Sequence, residues 1–425
     1  MEQQIEGRNL DLDQNLGQDF QIRRSQVEAI KVRLPEDHRP YTDKYFLRTA
    51  EILKAEGLNP IVRAQVFIRK GPGTIHGIEE AVAIIDKYSD FIKNGGRIYS
   101  LKEGSSYEAG DTVMVLEGRV QDIVELETMY LGVIAAETTK INDGVDRVNL
   151  DQVEKSTKAI IEMIGGRSLL YFGARHWHYS EDADIADAAY KGGAGSAATD
   201  IGAARRGQLG VGTIPHALEN IYAAVHGKDR AVVEATLAFD RVIDPSVPRI
   251  ALIDYNNHEV EDSIATADAL KGRLHGVRVD TCGENIAQGA FASEELVPEN
   301  HPLKEFIKYI PEEDKKFWFG NGVSISGVFA LRKALDDAGH KDVRIFLSSG
   351  FGKIEKVKAF LRAEALLQTK LFDSLGVGSL YKPCRTTTMD IVAVADSLEG
   401  LDDSPMSKVG RAYRPNARLK LALGE

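Results

Sequence analysis

Short apolar runs that alternate with amphipathic helical segments constrain the fold of this chain more than any other feature. Beyond residue 168 there are about eight apolar runs of strand length, one of them less clear than the rest. Such alternation is typical of β-α units around a parallel sheet. It favours a (β/α) barrel, with an open doubly wound sheet as the second choice. The predicted strands are 169–173, 191–195 (the less clear run), 209–213, 250–254, 277–280, 317–319, 343–347 and 375–377.

The earlier part of the chain has a different pattern. Three β-rich runs, 61–68, 97–101 and 112–116, are separated by turns and by a helical stretch at 78–88, and a long helical segment follows at 120–138. A length of 425 residues suits a barrel of about 250 residues and a smaller unit. We therefore predict an α+β sheet domain with a bridging helix over 1–150, an α/β barrel domain over 151–395, and a C-terminal segment, 396–425, that packs back on the first domain.

Composition and charge argue against several classes of protein. The formal net charge of -11 repels polyanions, so nucleic acid and anionic membranes are poor partners. Cys282 and Cys384 cannot build a disulfide framework or a four-cysteine zinc site. The N-terminal residues do not resemble a secretory signal, and no long apolar stretch predicts a membrane span. These features predict a soluble cytoplasmic protein.

Polar and small residues follow most of the predicted strands, at the end of a barrel where ligands bind. A single such turn has a structural explanation, because β-to-α turns use Gly, Asn and Ser in any case. Seven such segments, each at the end of a predicted strand, together predict a ligand site at this end of the barrel. The segments are 172–176, 212–216, 254–258, 278–280, 320–322, 348–352 and 376–379.

Two of these turns, 348–352 and 376–379, are rich in glycine and follow late strands. Small residues let backbone N–H groups converge on one anion at a helix N-terminus, and barrels commonly hold a phosphate after the seventh and eighth strands. We predict a phosphate site there that includes Ser349, Gly350, Gly376 and Gly378. The alternative is two tight turns without a ligand.

Charged side chains at the strand ends suggest further roles. Asp254 and Asp280 would face a common cavity and hold Mg²⁺ or ribose hydroxyls, although buried capping acids would have the same pattern. Arg175 and Arg278 can each bind a carboxylate or a phosphate with two parallel hydrogen bonds. His216 opens a predicted helix, where its ring would meet a phosphoryl group.

These segments resemble the type II phosphoribosyltransferases that make pyridine nucleotides, in particular the nicotinate phosphoribosyltransferase family. The likeness covers roughly residues 41–390, and the order of its motifs along the chain is specific. The motifs are TDKY at 42–45, FGAR at 172–175, GT at 212–213 with His216, ID at 253–254, VRVD at 277–280, SSGF at 348–351 and FDSLGVG at 372–378.

The resemblance implies a role for each site residue. Tyr45 would reach into a partner subunit's site and sandwich the pyridine ring with Phe172, which implies a homodimer with shared active sites. Arg278 would bind the nicotinate carboxylate, and Arg175 the phosphates of the donor. The resemblance also places Ser196 near the ring, Thr213 among the substrate-binding residues, and Asn321, where the family has an aspartate, among those that bind phosphate.

The activity implied by the resemblance is the formation of nicotinate mononucleotide and pyrophosphate from nicotinate and phosphoribosyl pyrophosphate in NAD salvage. Mg²⁺ is the implied cofactor. His216 matches the histidine that many members phosphorylate from ATP, so ATP is the implied co-substrate, and Asp254, Asp280 and Arg175 complete the catalytic set. Nicotinamide or quinolinate as the base, and a non-catalytic binding protein on the same fold, stay open as alternatives.

Overall fold

Two sheets organise the part of the chain that the computed structural model describes, residues 21–424. A five-stranded antiparallel sheet has the order β12-β1-β5-β3-β13, and a six-stranded parallel sheet has the order β7-β6-β11-β10-β9-β8. A short β2-β4 pair accompanies them. The strands are β1 (Ile61–Ile68), β2 (Gly73–Thr74), β3 (Arg97–Ser100), β4 (Ser106–Tyr107), β5 (Thr112–Arg119), β6 (Ser168–Tyr171), β7 (Ser196–Ala197), β8 (Arg249–Leu252), β9 (Leu274–Val279), β10 (Arg344–Leu347), β11 (Ser374–Val377), β12 (Thr387–Ala395) and β13 (Lys420–Leu423).

Helices cover both sheets. None of those in the described residues is long and apolar enough to cross a membrane. Residues 21–31 are helical. The later helices are α1 (Lys44–Ala55), α2 (Ile78–Tyr88), α3 (Val120–Ile123), α4 (Glu127–Asp143), α5 (Leu150–Met163), α6 (Asp182–Lys191), α7 (Asp200–Ala204), α8 (His216–His226), α9 (Ala231–Val242), α10 (Glu259–Leu270), α11 (Lys315–Trp318), α12 (Ile325–Asp337) and α13 (Ile354–Leu367).

Local sequence signals explain several of these boundaries. The hydroxyl of Ser324 accepts a hydrogen bond from the backbone N–H of Gly327 and so caps the first turn of α12. Gly339, with a φ of 88°, adopts the left-handed conformation that commonly terminates a helix, and it follows the end of α12. Strand β1 is buried along most of its length because it lies inside the antiparallel sheet, between β12 and β5.

The predicted fold class is confirmed: a barrel-type parallel sheet with helical crossovers lies beside a separate sheet with helices. Two predicted strands are wrong. Residues 317–319 lie mainly in α11, because the periodicity of a short aromatic run does not distinguish a strand from a buried helix. Residues 191–195 form the end of α6 and the turn after it, and β7 begins at Ser196.

The predicted strand at 209–213 is also wrong, although the segment lies between the two edge strands of the parallel sheet. Val211 donates its backbone N–H to the carbonyl of Ala197 in β7, at 2.9 Å. The hydroxyl of Thr213 donates to the carbonyl of Ile250 in β8, also at 2.9 Å. Gly210 and Gly212 weaken a strand here, so the segment spans the gap without a regular ladder.

The C-terminal part of the chain returns to the antiparallel sheet. Strand β12 pairs with β1 along its whole length, and β13 pairs with β3. We predicted that residues 387–395 belong to the barrel domain, but these residues form β12 in the other sheet. Alternating apolar residues predict a strand but do not indicate which sheet it joins. This return brings residues after 400 across the face of the barrel.

Helix α4 joins the hydrophobic cores of the two sheets. Its residues Met129 and Ile134 are buried in the core of the antiparallel sheet, whereas Ala136 packs in the core of the barrel with Trp177. Gly132 lies against the backbone carbonyl of Trp177, where a Cβ atom would overlap. The close approach sets the position of the 3-10 turn Ala174–His176, which carries Arg175.

We expect Gly132→Ala to destabilise the protein. Overpacking costs about 1–3 kcal/mol, and an overlap with a backbone atom belongs to the upper part of that range, about 2–3 kcal/mol; the better helix propensity of alanine offsets about 1 kcal/mol of this. The free energy of unfolding in urea should therefore fall by about 1–2 kcal/mol. Gly400→Ala is the control, because its Cβ would meet neighbours no closer than 3.4 Å. Equal stability of the two variants would contradict the assigned contact.

Candidate active site

A cavity of about 600 Å³ lies at the carboxyl ends of the parallel strands, where the antiparallel sheet and the C-terminal segment cover them. The turns after β6, β9, β10 and β11 form the barrel side of its wall, and β12 lies on the opposite side. Most of the site residues predicted from the sequence line this cavity. These are Tyr45, Phe172, Arg175, His216, Arg278, Asp280, Ser349, Gly350, Gly376 and Gly378.

Four predicted site residues do not line the cavity. Asp254 is buried behind His216. Ser196 stands in β7, and Thr213 bonds to the backbone of β8. Asn321 lies further away, where its side-chain amide donates to the carbonyl of Gly283 at 3.2 Å.

Arg175 is the centre of a partly buried polar cluster in the wall of the cavity. Its Nη1 donates to the hydroxyl of Tyr45 at 2.5 Å and to the carboxylate of Glu127 at 3.2 Å. Burial raises the pKa of Glu127 to about 8, although the charge of Arg175 acts in the opposite direction. Burial also raises the pKa of Tyr45 well above its ordinary value. The guanidinium is therefore held by two side chains from the N-terminal half of the chain.

Tyr45 lies in the cavity of its own chain. The backbone N–H of Lys44 donates to the carbonyl of Ala198 at 2.8 Å, and the ammonium group of Lys44 pairs with Asp200 at 2.6 Å. Arg48 bonds to the carbonyl of Gly212. These contacts dock the first turns of α1 on the barrel. Tyr45 thus lines the cavity of its own chain, while its reach into a partner subunit's site and a dimer with shared active sites stay predictions.

Arg278 and Asp280 stand two residues apart at the end of β9 and so project from the same face. Nη1 of Arg278 donates to Oδ2 of Asp280 at 3.0 Å and to the hydroxyl of Ser348 at 3.3 Å. Nη2 donates to the carbonyl of Ile214 at 3.1 Å. Since a guanidinium carries five donors, these three bonds hold its orientation and leave donors for a ligand.

The two glycine-rich turns lie against each other. Gly352 packs on the carbonyl of Ser379, so a Cβ atom would not fit between the turns. A Cβ on Gly376 would overlap the ring of Phe172. Ser349 and Gly350 have φ values of 67° and 87°, and this left-handed stretch precedes the start of α13. The turns place backbone amides near a helix N-terminus, a geometry that suits a phosphate.

His216, Asp254 and Lys408 form a second polar cluster, in which Asp254 and Lys408 are buried and His216 lines the cavity. Nε2 of His216 lies 3.0 Å from Oδ1 of Asp254 and 3.0 Å from Nζ of Lys408, and Lys408 also pairs with Oδ2 of Asp254. Burial and then the charge of Lys408 lower the pKa of His216. Burial alone would raise the pKa of Asp254, but the charges of Lys408 and His216 hold it below its usual range.

Sequence reasoning missed residues on the opposite wall and beneath the cavity. Arg69, Asp390, Lys408 and Arg411 line the cavity from β12 and its neighbouring segments. They belong to no recognisable motif. Glu127 did have a signal, because it is a carboxylate on the apolar face of the helical segment 120–138.

The carboxylates of the site already have cationic partners: Asp254 pairs with Lys408, and Asp280 with Arg278. Within residues 21–424 there is no group of three or more His, Cys, Asp or Glu side chains that could hold a metal ion. The arrangement therefore differs from the predicted one, in which Asp254 and Asp280 together form a metal site.

Comparison with known proteins agrees with this architecture. Residues 43–137 match the family model for the N-terminal domain of quinolinate phosphoribosyl transferase. A search among curated protein sequences finds no match. A nicotinate-nucleotide pyrophosphorylase from Pyrococcus furiosus is 26% identical, with 90% of this chain and 81% of that chain covered and a TM-score of 0.40.

Two solved nicotinate phosphoribosyltransferases are similar in fold. The structure from Porphyromonas gingivalis is 12% identical, with 87% of this chain and 92% of that chain covered and a TM-score of 0.55. The structure from Vibrio cholerae is 11% identical, with 87% of each chain covered and a TM-score of 0.57. The chain therefore has the fold of the type II phosphoribosyltransferases. Its N-terminal part is of the kind that the quinolinate phosphoribosyl transferase model describes.

His176 provides a test of the burial of this site by pH. Burial and then the charge of Arg175 lower the pKa of His176 from 6.5 to about 4. Between these values the unfolded chain binds a proton that the folded ring does not, so stability present above pH 6.5 is lost as the pH falls. Between pH 7 and pH 5 we expect the free energy of unfolding in urea to fall by about 1–2 kcal/mol more in the wild type than in His176→Gln.

The exposed His226 supplies the control. His226→Gln should leave the pH dependence of stability close to that of the wild type. Equal losses in His176→Gln and the wild type would mean that His176 is hydrated in the folded protein.

Proposed function

We propose that this protein is a nicotinate phosphoribosyltransferase. The observation that carries the proposal is that one cavity gathers an arginine with free donors, two aromatic side chains and two glycine turns that pack on each other. These three features suit the three parts of a pyridine mononucleotide: a carboxylate on a flat ring, the ring itself, and a 5-phosphate.

The base would lie between Tyr45 and Phe172, both of which line the cavity. An electron-poor ring stacks well on aromatic side chains. Arg278 would bind the nicotinate carboxylate with its remaining donors, while Asp280, Ser348 and the carbonyl of Ile214 keep the guanidinium oriented.

The donor, phosphoribosyl pyrophosphate, would place its 5-phosphate at the glycine turns after β10 and β11. Arg175 would contact the pyrophosphate, whose departure leaves an oxocarbenium-like sugar. The ring nitrogen then forms the bond to the anomeric carbon as the bond to pyrophosphate breaks. Such a displacement needs positioning and charge stabilisation more than a strong base. The side chains that supply both are already fixed by hydrogen bonds.

Mg²⁺ stays part of the proposal. Asp280 fits such an ion, because it lines the cavity and accepts from Arg278 through Oδ2, while its Oδ1 accepts no hydrogen bond from the described residues. Mg²⁺ is usually held by one or two carboxylates together with substrate phosphates. When bound it would offset the negative charge of the donor. Asp254 does not fit this role, because both of its oxygens are engaged by His216 and Lys408.

Coupling to ATP is the second part of the proposal. His216 opens α8 at the wall of the cavity, and its hydrogen bonds to described residues all involve Nε2. Nδ1 is therefore the nitrogen that can meet a phosphoryl group.

Quinolinate is the second candidate for the base. It carries two carboxylates, and Arg175 and Arg278 are two of the four arginines that line the cavity. The family-model match of residues 43–137 also favours this candidate. Turnover on nicotinate, nicotinamide and quinolinate, each with donor and Mg²⁺, separates the candidates.

We expect the wild type to form nicotinate mononucleotide and pyrophosphate, and Arg278→Ala to raise the KM for nicotinate about 10- to 100-fold. An increase in KM of this size corresponds to the loss of the charge-assisted hydrogen bonds between Arg278 and the nicotinate carboxylate. Arg344→Ala is the control, since Arg344 begins the neighbouring strand β10 and is exposed. An unchanged KM in Arg278→Ala would remove the carboxylate assignment. Absence of pyrophosphate from the wild type with all three bases would favour a non-catalytic binding protein.

His216→Ala should abolish nicotinate-dependent ATP hydrolysis, because the proposed phosphoryl acceptor is gone. His226→Ala, at the exposed end of the same helix, should keep it. Release of phosphate from ATP is the measurement. ATP hydrolysis at the wild-type rate in His216→Ala would contradict the role given to this ring.

A further inference from the structure

Asp254 is already bound to a cation that belongs to the chain. Its side chain is fully buried, with Oδ1 3.0 Å from Nε2 of His216 and Oδ2 paired with Nζ of Lys408. A divalent ion at this carboxylate would have to displace the ammonium group. The carboxylate expected to bind Mg²⁺ is thus engaged without it.

The backbone around Lys408 is tied down on both sides. Met406 donates its N–H to the carbonyl of Val392 in β12 at 3.0 Å, and Val409 donates to the carbonyl of Tyr255 at 3.0 Å. The amide of Asn285 also donates to the carbonyl of Val409, at 2.9 Å. The lysine side chain is 6% exposed. Lys408 is therefore delivered to Asp254 by an anchored segment and not by a free tail.

The ammonium group contacts three parts of the barrel. Besides Asp254 it lies 3.0 Å from Nε2 of His216 and 3.5 Å from the backbone carbonyl of Asp280. It therefore bridges the ends of β8 and β9 and the start of α8. A divalent ion bound between the two aspartates would connect the same elements.

We propose that Lys408 is a positioning residue that serves as the resident cation of Asp254, in the place of a divalent metal ion. It neutralises the buried carboxylate and holds the His216 ring in the orientation in which Nε2 faces Asp254. Nδ1 then stays available to a ligand. The catalytic consequence rests on the proposed function, whereas the assignment of the cation does not.

Titration with Mn²⁺ alone tests the assignment without any turnover. Free Mn²⁺ is followed by electron paramagnetic resonance in the full-length protein without substrates. We expect Lys408→Ala to gain one Mn²⁺ site that the wild type lacks, because the buried carboxylate is then unpaired. The gained site should disappear in the double variant Lys408→Ala, Asp254→Asn. Lys353→Ala, another lysine of the cavity wall, should gain none.

Lys408→Gln carries the same test if Lys408→Ala does not fold, since glutamine keeps most of the packing without the charge. Circular dichroism verifies the fold of each variant. Binding of Mn²⁺ by the wild type at a site that Asp254→Asn removes would overturn the proposal. So would the absence of a gained site in folded variants that lack the Lys408 charge.

A kinetic measurement tests the positioning role. Lys408→Ala should lower kcat for mononucleotide formation by about 10²-fold, as misplacement of reacting groups commonly does. Added methylamine should restore part of the loss, which a merely structural role would not allow. Wild-type kcat in Lys408→Ala, or no rescue by any small amine, would overturn this role. If the wild type itself makes no mononucleotide, the proposed function fails while the Mn²⁺ titration still decides the cation.

Discussion

The cavity depends on the partly buried guanidinium of Arg175, which lines it. A charge that has lost part of its hydration is stabilised by pairing, and the partners of Arg175 come from two helices before the barrel: Tyr45 in α1 and Glu127 in α4. Gly132 allows α4 to approach the backbone of Trp177 closely enough for these bonds to form. The antiparallel sheet and the barrel consequently share one polar wall, and the space between them is shaped before any ligand arrives. Removal of one partner would take away one of the two side-chain bonds of the guanidinium and weaken the link between the two layers.

The second constraint is the return of the chain from the barrel to the antiparallel sheet. Strand β12 pairs with β1 and carries the following segment over the strand ends, where Lys408 meets Asp254 and His216. The cavity thus contains several cations whose positions are set by carboxylates of the same protein. Preorganised charges of this kind cost no rearrangement when negative charge develops on a leaving group. They also make the site suitable for a polyanionic donor, despite the net negative charge of the whole chain.

The residues that sequence reasoning found are those placed by strand ends. Arg278, Asp280 and Gly350 follow apolar runs, so the rule that ligands lie at the carboxyl ends of parallel strands brings them together, and all three line one cavity. Reasoning of this kind fails where the position depends on tertiary contacts. Lys408 stands in a segment without periodic pattern, and its role arises from β12, whose sheet cannot be inferred from alternation. Thr213 and Asn321 were placed by resemblance of short motifs, and local hydrogen bonds direct them elsewhere. The phosphate-site assignment of Asn321 stays a prediction.

One crystal structure would test the central claim that a single cavity within one chain holds all three parts of a pyridine mononucleotide. Crystals soaked with nicotinate mononucleotide should have the ring between Tyr45 and Phe172 of the same chain, the carboxylate on Arg278, and the phosphate at the turns that contain Gly350 and Gly378. The carboxylate on a different side chain, or the phosphate away from both turns, would contradict the account.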